Sequence, residues 1–131
     1  MKSLIVEDDP VAEKLLQVYL SGYGDIFYAS DGREAVQAVE ESLNIGKPYD
    51  LICLDIMMPE MDGLEALKHI RNLERDHAID GLDGAKVIVT TSRSQPRDIF
   101  RAFKAGCEAY VVKPVRKEDL VEEMKKLGLI E

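Results

Sequence analysis

The chain has 131 residues, 46% of them apolar and 32% charged, with a formal net charge of −8. That is enough for one domain with a real core and too little for two, and the balance excludes disorder. The negative charge argues against nucleic acid as a direct partner and against an anionic membrane surface.

Leu4-Ile5-Val6 is too short for a secretory core and runs straight into Glu7-Asp8-Asp9. No apolar stretch approaches membrane-spanning length, so a cytoplasmic protein is expected. Cys53 and Cys107 lie in or beside predicted strands and read as buried thiols, not as a disulfide or a metal site.

Strand and helix alternate five times. Strands are expected at about 2–7, 25–30, 50–55, 86–91 and 108–112. The first, third and fourth are continuous apolar runs, as central parallel strands should be, whereas Asp25–Ala29 is mixed and suits an edge. The first helix opens at Asp9-Pro10, an N-cap acid before a helical proline. Ala12, Leu15, Leu16, Tyr19 and Leu20 form its apolar face, and Gly22 and Gly24 end it. The second follows Asp31-Gly32 and turns Ala35, Val39 and Leu43 inward. The third opens at Asp62, with Glu65 three residues on as an acidic capping-box variant, and buries Leu67 and Ile70. The stretch from about 76 to 85, with Asp80, Gly81, Asp83 and Gly84, lacks the spacing of a calcium loop and reads as solvated. The fourth helix runs from about Pro96 to Ala105 and stops at Gly106. The fifth covers roughly 116–127 and uses Leu120, Val121, Met124 and Leu127. Strict alternation implies an α/β, doubly wound, five-stranded parallel sheet with right-handed crossovers, flavodoxin-like, in the order 2-1-3-4-5. A single domain over 1–131 is expected.

In such sheets ligands lie beyond the carboxyl ends of the strands, near the switch in strand order. Four strands end in chemistry there: Glu7-Asp8, Asp55, Thr91 and Lys113-Pro114. An acid ending a buried strand is costly unless charge meets it. Acids, a hydroxyl and a lysine on one edge describe a metal and phosphoryl site.

Five motifs in order carry a family resemblance. They are Leu4-Ile5-Val6-Glu7-Asp8-Asp9-Pro10; Ala29-Ser30-Asp31-Gly32 with Ala35; Asp55 through Met58-Pro59 to Met61-Asp62-Gly63; Thr91-Ser92; and Ala105-Gly106 through Tyr110 to Lys113-Pro114. Over nearly its whole length the chain resembles the receiver domains of two-component response regulators, of the stand-alone, chemotaxis-regulator-like kind. The strand order above is shared by members of that family and is not an independent deduction.

The resemblance implies that Asp55 accepts a phosphoryl group as an acyl phosphate. It implies Mg²⁺ on Asp8 and Asp55, with Glu7 acting partly through water and the carbonyl of Met57 completing the set. Lys113, before an expected cis proline, would pair with Asp55 at rest and with the phosphoryl group afterwards. Thr91, preferred over Thr90 for its spacing, would donate its hydroxyl, and Tyr110 would turn inward as the switch partner. Met57 and Arg93 would flank the attacking water and tune the phosphate lifetime. By comparison with the family, Phe100 and Phe103 look inward and Ile99 outward, and the readout face is the fourth helix, fifth strand and fifth helix. Val11, Lys14 and Val18 form a docking strip for a phosphodonor. His69 and His77 are taken as exposed and not as phosphoryl carriers.

The implied partners are a sensor histidine kinase or phosphotransfer protein and a downstream protein target, with a monomer or phosphorylation-dependent dimer. The chain would phosphorylate and dephosphorylate itself and not act as a turnover enzyme. A haloacid-dehalogenase-like phosphatase would need an acid where Met57 stands. A flavin binder would not place Glu7-Asp8-Asp9 in its phosphate loop. A non-phosphorylated pseudo-receiver is the remaining alternative.

Overall fold

The computed structural model describes residues 1–58, 61–79 and 83–131. Pro59, Glu60, Asp80, Gly81 and Leu82, which include part of the third motif and of the loose loop, lie outside the described residues. Ten elements alternate: β1 Lys2–Val6, α1 Pro10–Leu20, β2 Asp25–Ala29, α2 Gly32–Asn44, β3 Leu51–Leu54, α3 Gly63–Asp76, β4 Lys86–Thr91, α4 Pro96–Ala105, β5 Ala109–Val112 and α5 Lys117–Lys126.

The sheet has the expected order, β2-β1-β3-β4-β5, and every pair is parallel. Its central strands are apolar because both faces are covered. Leu4, Val6, Ile52, Leu54, Val87 and Val89 face α2, α3 and α4. Ile5, Leu51, Cys53 and Ile88 face the other way, against Leu16, Leu20, Leu120 and Met124 of α1 and α5. Period-two alternation thus builds two cores from one sheet. Each fully buried Leu or Ile contributes roughly 1.5–3 kcal/mol. Cys53 and Cys107 are buried and unpaired, and burial pushes both thiols up to about 12, so neither is a thiolate at neutral pH.

The predicted helix starts hold. Asp9, Asp31 and Asp62 are N-caps whose carboxylates accept from the amides of Val11, Glu34 and Glu65. α1 is capped by Ser21, and Gly22 and Gly24 follow at positive φ. Gly63 is required by proximity: a Cβ there would lie 2.4 Å from the Asp55 carbonyl oxygen. The start of α3 therefore packs directly on the backbone that carries Asp55.

Two helix faces differ from expectation. Leu15, assigned to the buried face of α1, is exposed and continues the strip of Val11 and Val18. On α4, Phe100 and Phe103 point outward, 67% and 46% exposed, and Ile99 is half-buried. The inward line of α4 is Asp98 and Ala102, one turn apart. Asp98 meets Arg93, whose Nη1 lies 3.6 Å from its Oδ1, and with Asp98 and Ala102 inward the phenylalanines face out.

Candidate active site at the carboxyl edge of the sheet

β1 and β3 are neighbours in register, Val6 opposite Leu54, so the residues just past them emerge side by side. The Asp55 amide donates to the Val6 carbonyl at 3.0 Å, and the Glu7 amide to Ala29 at 3.0 Å. Ligand oxygens of Glu7, Asp8 and Asp55 all lie within 4.8 Å of one another. Glu7 and Asp55 are buried, at 1% and 4% exposure, and Asp8 is open to solvent.

Lys113 answers this charge from the turn that follows β5, two strands over from β3. Its amide donates to Thr91 O at 2.7 Å, and the following Lys113–Pro114 bond is cis, as expected. Its Nζ donates to Glu7 Oε1 at 2.6 Å and to Asp55 Oδ2 at 3.2 Å. The pairing expected with Asp55 is present, and the shorter bond goes to Glu7.

One ammonium does not neutralise three carboxylates. Burial raises the Glu7 carboxyl to about 7; the Lys113 hydrogen bond pulls it down, and the Asp55 charge pushes it up. For Lys113, burial acts to lower the pKa, but the hydrogen bond to Glu7 and the charges of Asp55 and Glu7 leave it raised. A cluster of hard oxygen donors with charge left over fits a hard divalent cation such as Mg²⁺. Glu7, Asp8 and Asp55 are the side chains that would hold it.

The other expected residues stand around this centre. The Met57 amide donates to Asp55 Oδ1 at 3.0 Å, and its side chain is exposed, touched by Ser92 Oγ at 3.7 Å from Sδ. Thr91 is fully buried, and its Oγ1 accepts from the Arg93 amide at 3.2 Å. Tyr110 is half-buried against the α2–α4 core and donates its hydroxyl to the Arg93 carbonyl at 2.8 Å. Arg93 thus links both switch candidates through its backbone. A cavity of about 410 Å³ opens beside Asp55, lined by Met57, Asp62, Leu64, Arg93, Asp98 and Arg101. His69 and His77 are exposed; His77 bonds the Leu73 carbonyl and Asn44.

Three features escaped the sequence reading. Asp98 is a buried acid beside Arg93, and its helix position gave no hint of that partner. Thr90 is fully buried, and its Oγ1 has no hydrogen-bond partner among the described residues. Arg71 of α3 is saturated by Glu74 at 2.8 Å, Glu108 at 2.7 Å and the carbonyls of Ala85 and Gly106. The spacing of Arg71 and Glu74 signals half of that cluster; Glu108 is too distant in sequence to be signalled.

A family model described as response regulator receiver domain matches residues 3–125. The chain is 33% identical to the chemotaxis protein CheY of Thermotoga maritima over 127 residues, covering 95% of both chains. It is 32% identical to the transcriptional regulatory protein AruR of Pseudomonas aeruginosa over 125 residues, which is 95% of this chain and 48% of AruR. The chain spans about half or less of the length of the first curated relatives it matches. A receiver domain of a Pseudomonas aeruginosa sensor histidine kinase, whose crystal structure has a magnesium ion coordinated in the active site cleft, superposes with a TM-score of 0.77 at 26% identity over 97% of each chain. With five motifs, the strand order and the acidic pocket in one frame, the chain belongs to the response regulator receiver domain family of two-component signalling.

Proposed function

We propose that this receiver accepts a phosphoryl group on Asp55 in a Mg²⁺-dependent reaction, from a histidine kinase or phosphotransfer protein. The observation that carries this reading is the placement of Glu7, Asp8 and Asp55 within 4.8 Å of one another beneath a single lysine. A carboxylate oxygen of Asp55 attacks phosphorus; the O–P bond forms as the P–N bond to the donor imidazole breaks, and the imidazole leaves with the electron pair. Mg²⁺ would be held by Glu7, Asp8, Asp55 and the Met57 carbonyl, and would supply neutralisation of phosphoryl-oxygen charge. Lys113 transfers its hydrogen bond from Asp55 to a phosphoryl oxygen. Thr91 Oγ1 donates to another.

Because Thr91 Oγ1 accepts from the Arg93 amide and Tyr110 bonds the Arg93 carbonyl, a turn of Thr91 toward phosphate disturbs the contact that holds Tyr110. The readout face is α4, β5 and α5. Its apolar content is larger than the sequence suggested, since Phe100, Phe103 and Val112 are all exposed there. The donor docks on α1, where Val11, Leu15 and Val18 are exposed beside a cavity of about 370 Å³ that Leu15, Thr90, Pro114 and Val115 help to line. Met57 and Arg93, on the rim of the acceptor, set the phosphate lifetime.

Mass spectrometry after incubation with Mg²⁺ and acetyl phosphate tests the central claim. A labile phosphate on the wild type, absent from Asp55→Asn, is expected. No adduct from acetyl phosphate or any phosphohistidine donor would leave the fold as a protein-binding module only.

A further inference from the structure

The chain carries a net charge of −8, yet the groove between α3 and α4 is walled by cations. Lys68, Arg71 and Arg75 line it from α3, and Arg101 and Lys104 from α4. Their spacing of three or four residues puts each set on one helix face. Among the described lining residues the acids are Asp62 and Glu65, both at the end where α3 begins; Glu74 and Glu108, in the adjoining cavity, are taken up by Arg71. The groove encloses about 880 Å³, the size of a small-ligand site.

This charge is not consumed by local pairing, except at Arg71, whose guanidinium is already saturated. Among the described residues, Lys68, Arg101 and Lys104 form no ion pair, and Arg75 bonds only the neutral side-chain oxygen of Asn72. Like charges gathered unpaired in a concave place repel one another and focus a positive potential. An anion there relieves that repulsion.

The lining also says which anion. Among the described lining residues the apolar ones are Leu64 and Ala105, and neither is a large aromatic anchor of the kind that seats a peptide. Arginine and lysine donors on two facing walls suit phosphate oxygens distributed over more than one centre. We propose that the α3–α4 groove binds a compact anion carrying two or more phosphate groups, held by Lys68, Arg75, Arg101 and Lys104. This site stands apart from the Asp55 reading. It shares Asp62, Leu64 and Arg101 with the cavity beside the acceptor, so its occupancy can be felt there.

The test titrates inorganic tripolyphosphate into the full chain in EDTA, read by amide NMR shifts and calorimetry. Shifts centred on α3 and α4, extending no further than the adjoining cavity at Met57 and Arg93, are expected, with affinity falling steeply as salt rises. The Arg101→Ala/Lys104→Ala double variant should bind at least about tenfold more weakly with an unchanged thermal melt. Asp55→Asn should bind like the wild type. ATP binding more tightly than tripolyphosphate would assign a nucleotide, and equal binding a bare phosphate chain; either supports the site. Absence of binding at millimolar probe, binding that the double variant leaves intact, binding lost in Asp55→Asn, or a poly-glutamate peptide binding as well as tripolyphosphate would each overturn it.

Discussion

Glu7 is almost wholly withdrawn from water, and its carboxylate shares one lysine with Asp55. Burial and the Asp55 charge hold its pKa near 7, against an ordinary value of 4.5. Between those values the folded chain keeps a proton that the unfolded chain has lost. Stability from this group is therefore complete below about pH 4.5 and is lost as pH rises through about 7. In a chelator, the wild type should lose on the order of 2 kcal/mol relative to Glu7→Gln between pH 5 and pH 8. Because a cation competes with that proton, Mg²⁺ should raise the melting temperature more at pH 8 than at pH 5. Identical pH slopes for wild type and Glu7→Gln in urea titrations would contradict this. The acids themselves were legible in the sequence, since an apolar run ending in a carboxylate is anomalous. Their inequality was not, because chain position alone does not tell which of Glu7 and Asp8 turns inward.

At the scale of the element, α4 separates what periodicity reveals from what it hides. In α2 and α3 a single apolar stripe marks the buried face, and the caps at Asp9, Asp31 and Asp62 were readable from residue type. The parallel sheet followed from its uninterrupted apolar strands. In α4, Ile99, Phe100, Ala102 and Phe103 offer more apolar surface than one face can bury, and the face that is buried carries an acid. Asp98 goes in to meet Arg93, Ala102 follows it, and two aromatic rings are left outside. That contact joins the β4–α4 loop to the first turn of α4, five residues on, a spacing that neither the helical nor the strand period marks. Phe100→Ala and Phe103→Ala should each change stability by less than about 1 kcal/mol, where a core phenylalanine would cost about 3–5 kcal/mol. Urea denaturation checks this, and a core-sized loss at Phe100 would show that the ring packs inward as the family comparison implied.

Across the whole molecule, opposite edges of the sheet are organised by opposite arrangements of charge. The carboxyl edge has three acids around one lysine and is left short of positive charge. At the other edge, where β4 and β5 begin, Arg71 is surrounded by Glu74, Glu108 and two backbone carbonyls, while Glu74 and Glu108 accept from the amides of Ala85 and Val87. Every donor there is used, which makes this edge a fixed point. Arg71 also bonds the Gly106 carbonyl at 2.7 Å, just past the end of α4. α4 is thus held by polar contacts at both ends, Arg93–Asp98 at the start and Arg71–Gly106 at the finish, over a thin inward line of Asp98 and Ala102. An element fastened at its ends and weakly packed between them is the one whose local opening needs least energy. Arg71→Ala strands two acids in a poorly hydrated place and should cost on the order of 3 kcal/mol. Arg71→Lys should recover only part of that, because an ammonium cannot reach both carboxylates and both carbonyls. Hydrogen exchange gives the sharper reading. In Arg71→Ala, amides of α4 and the α4–β5 turn should lose protection well before those of β1 and β3. Protection lost evenly over the sheet would mean that Arg71 supports the fold as a whole and does not fasten α4.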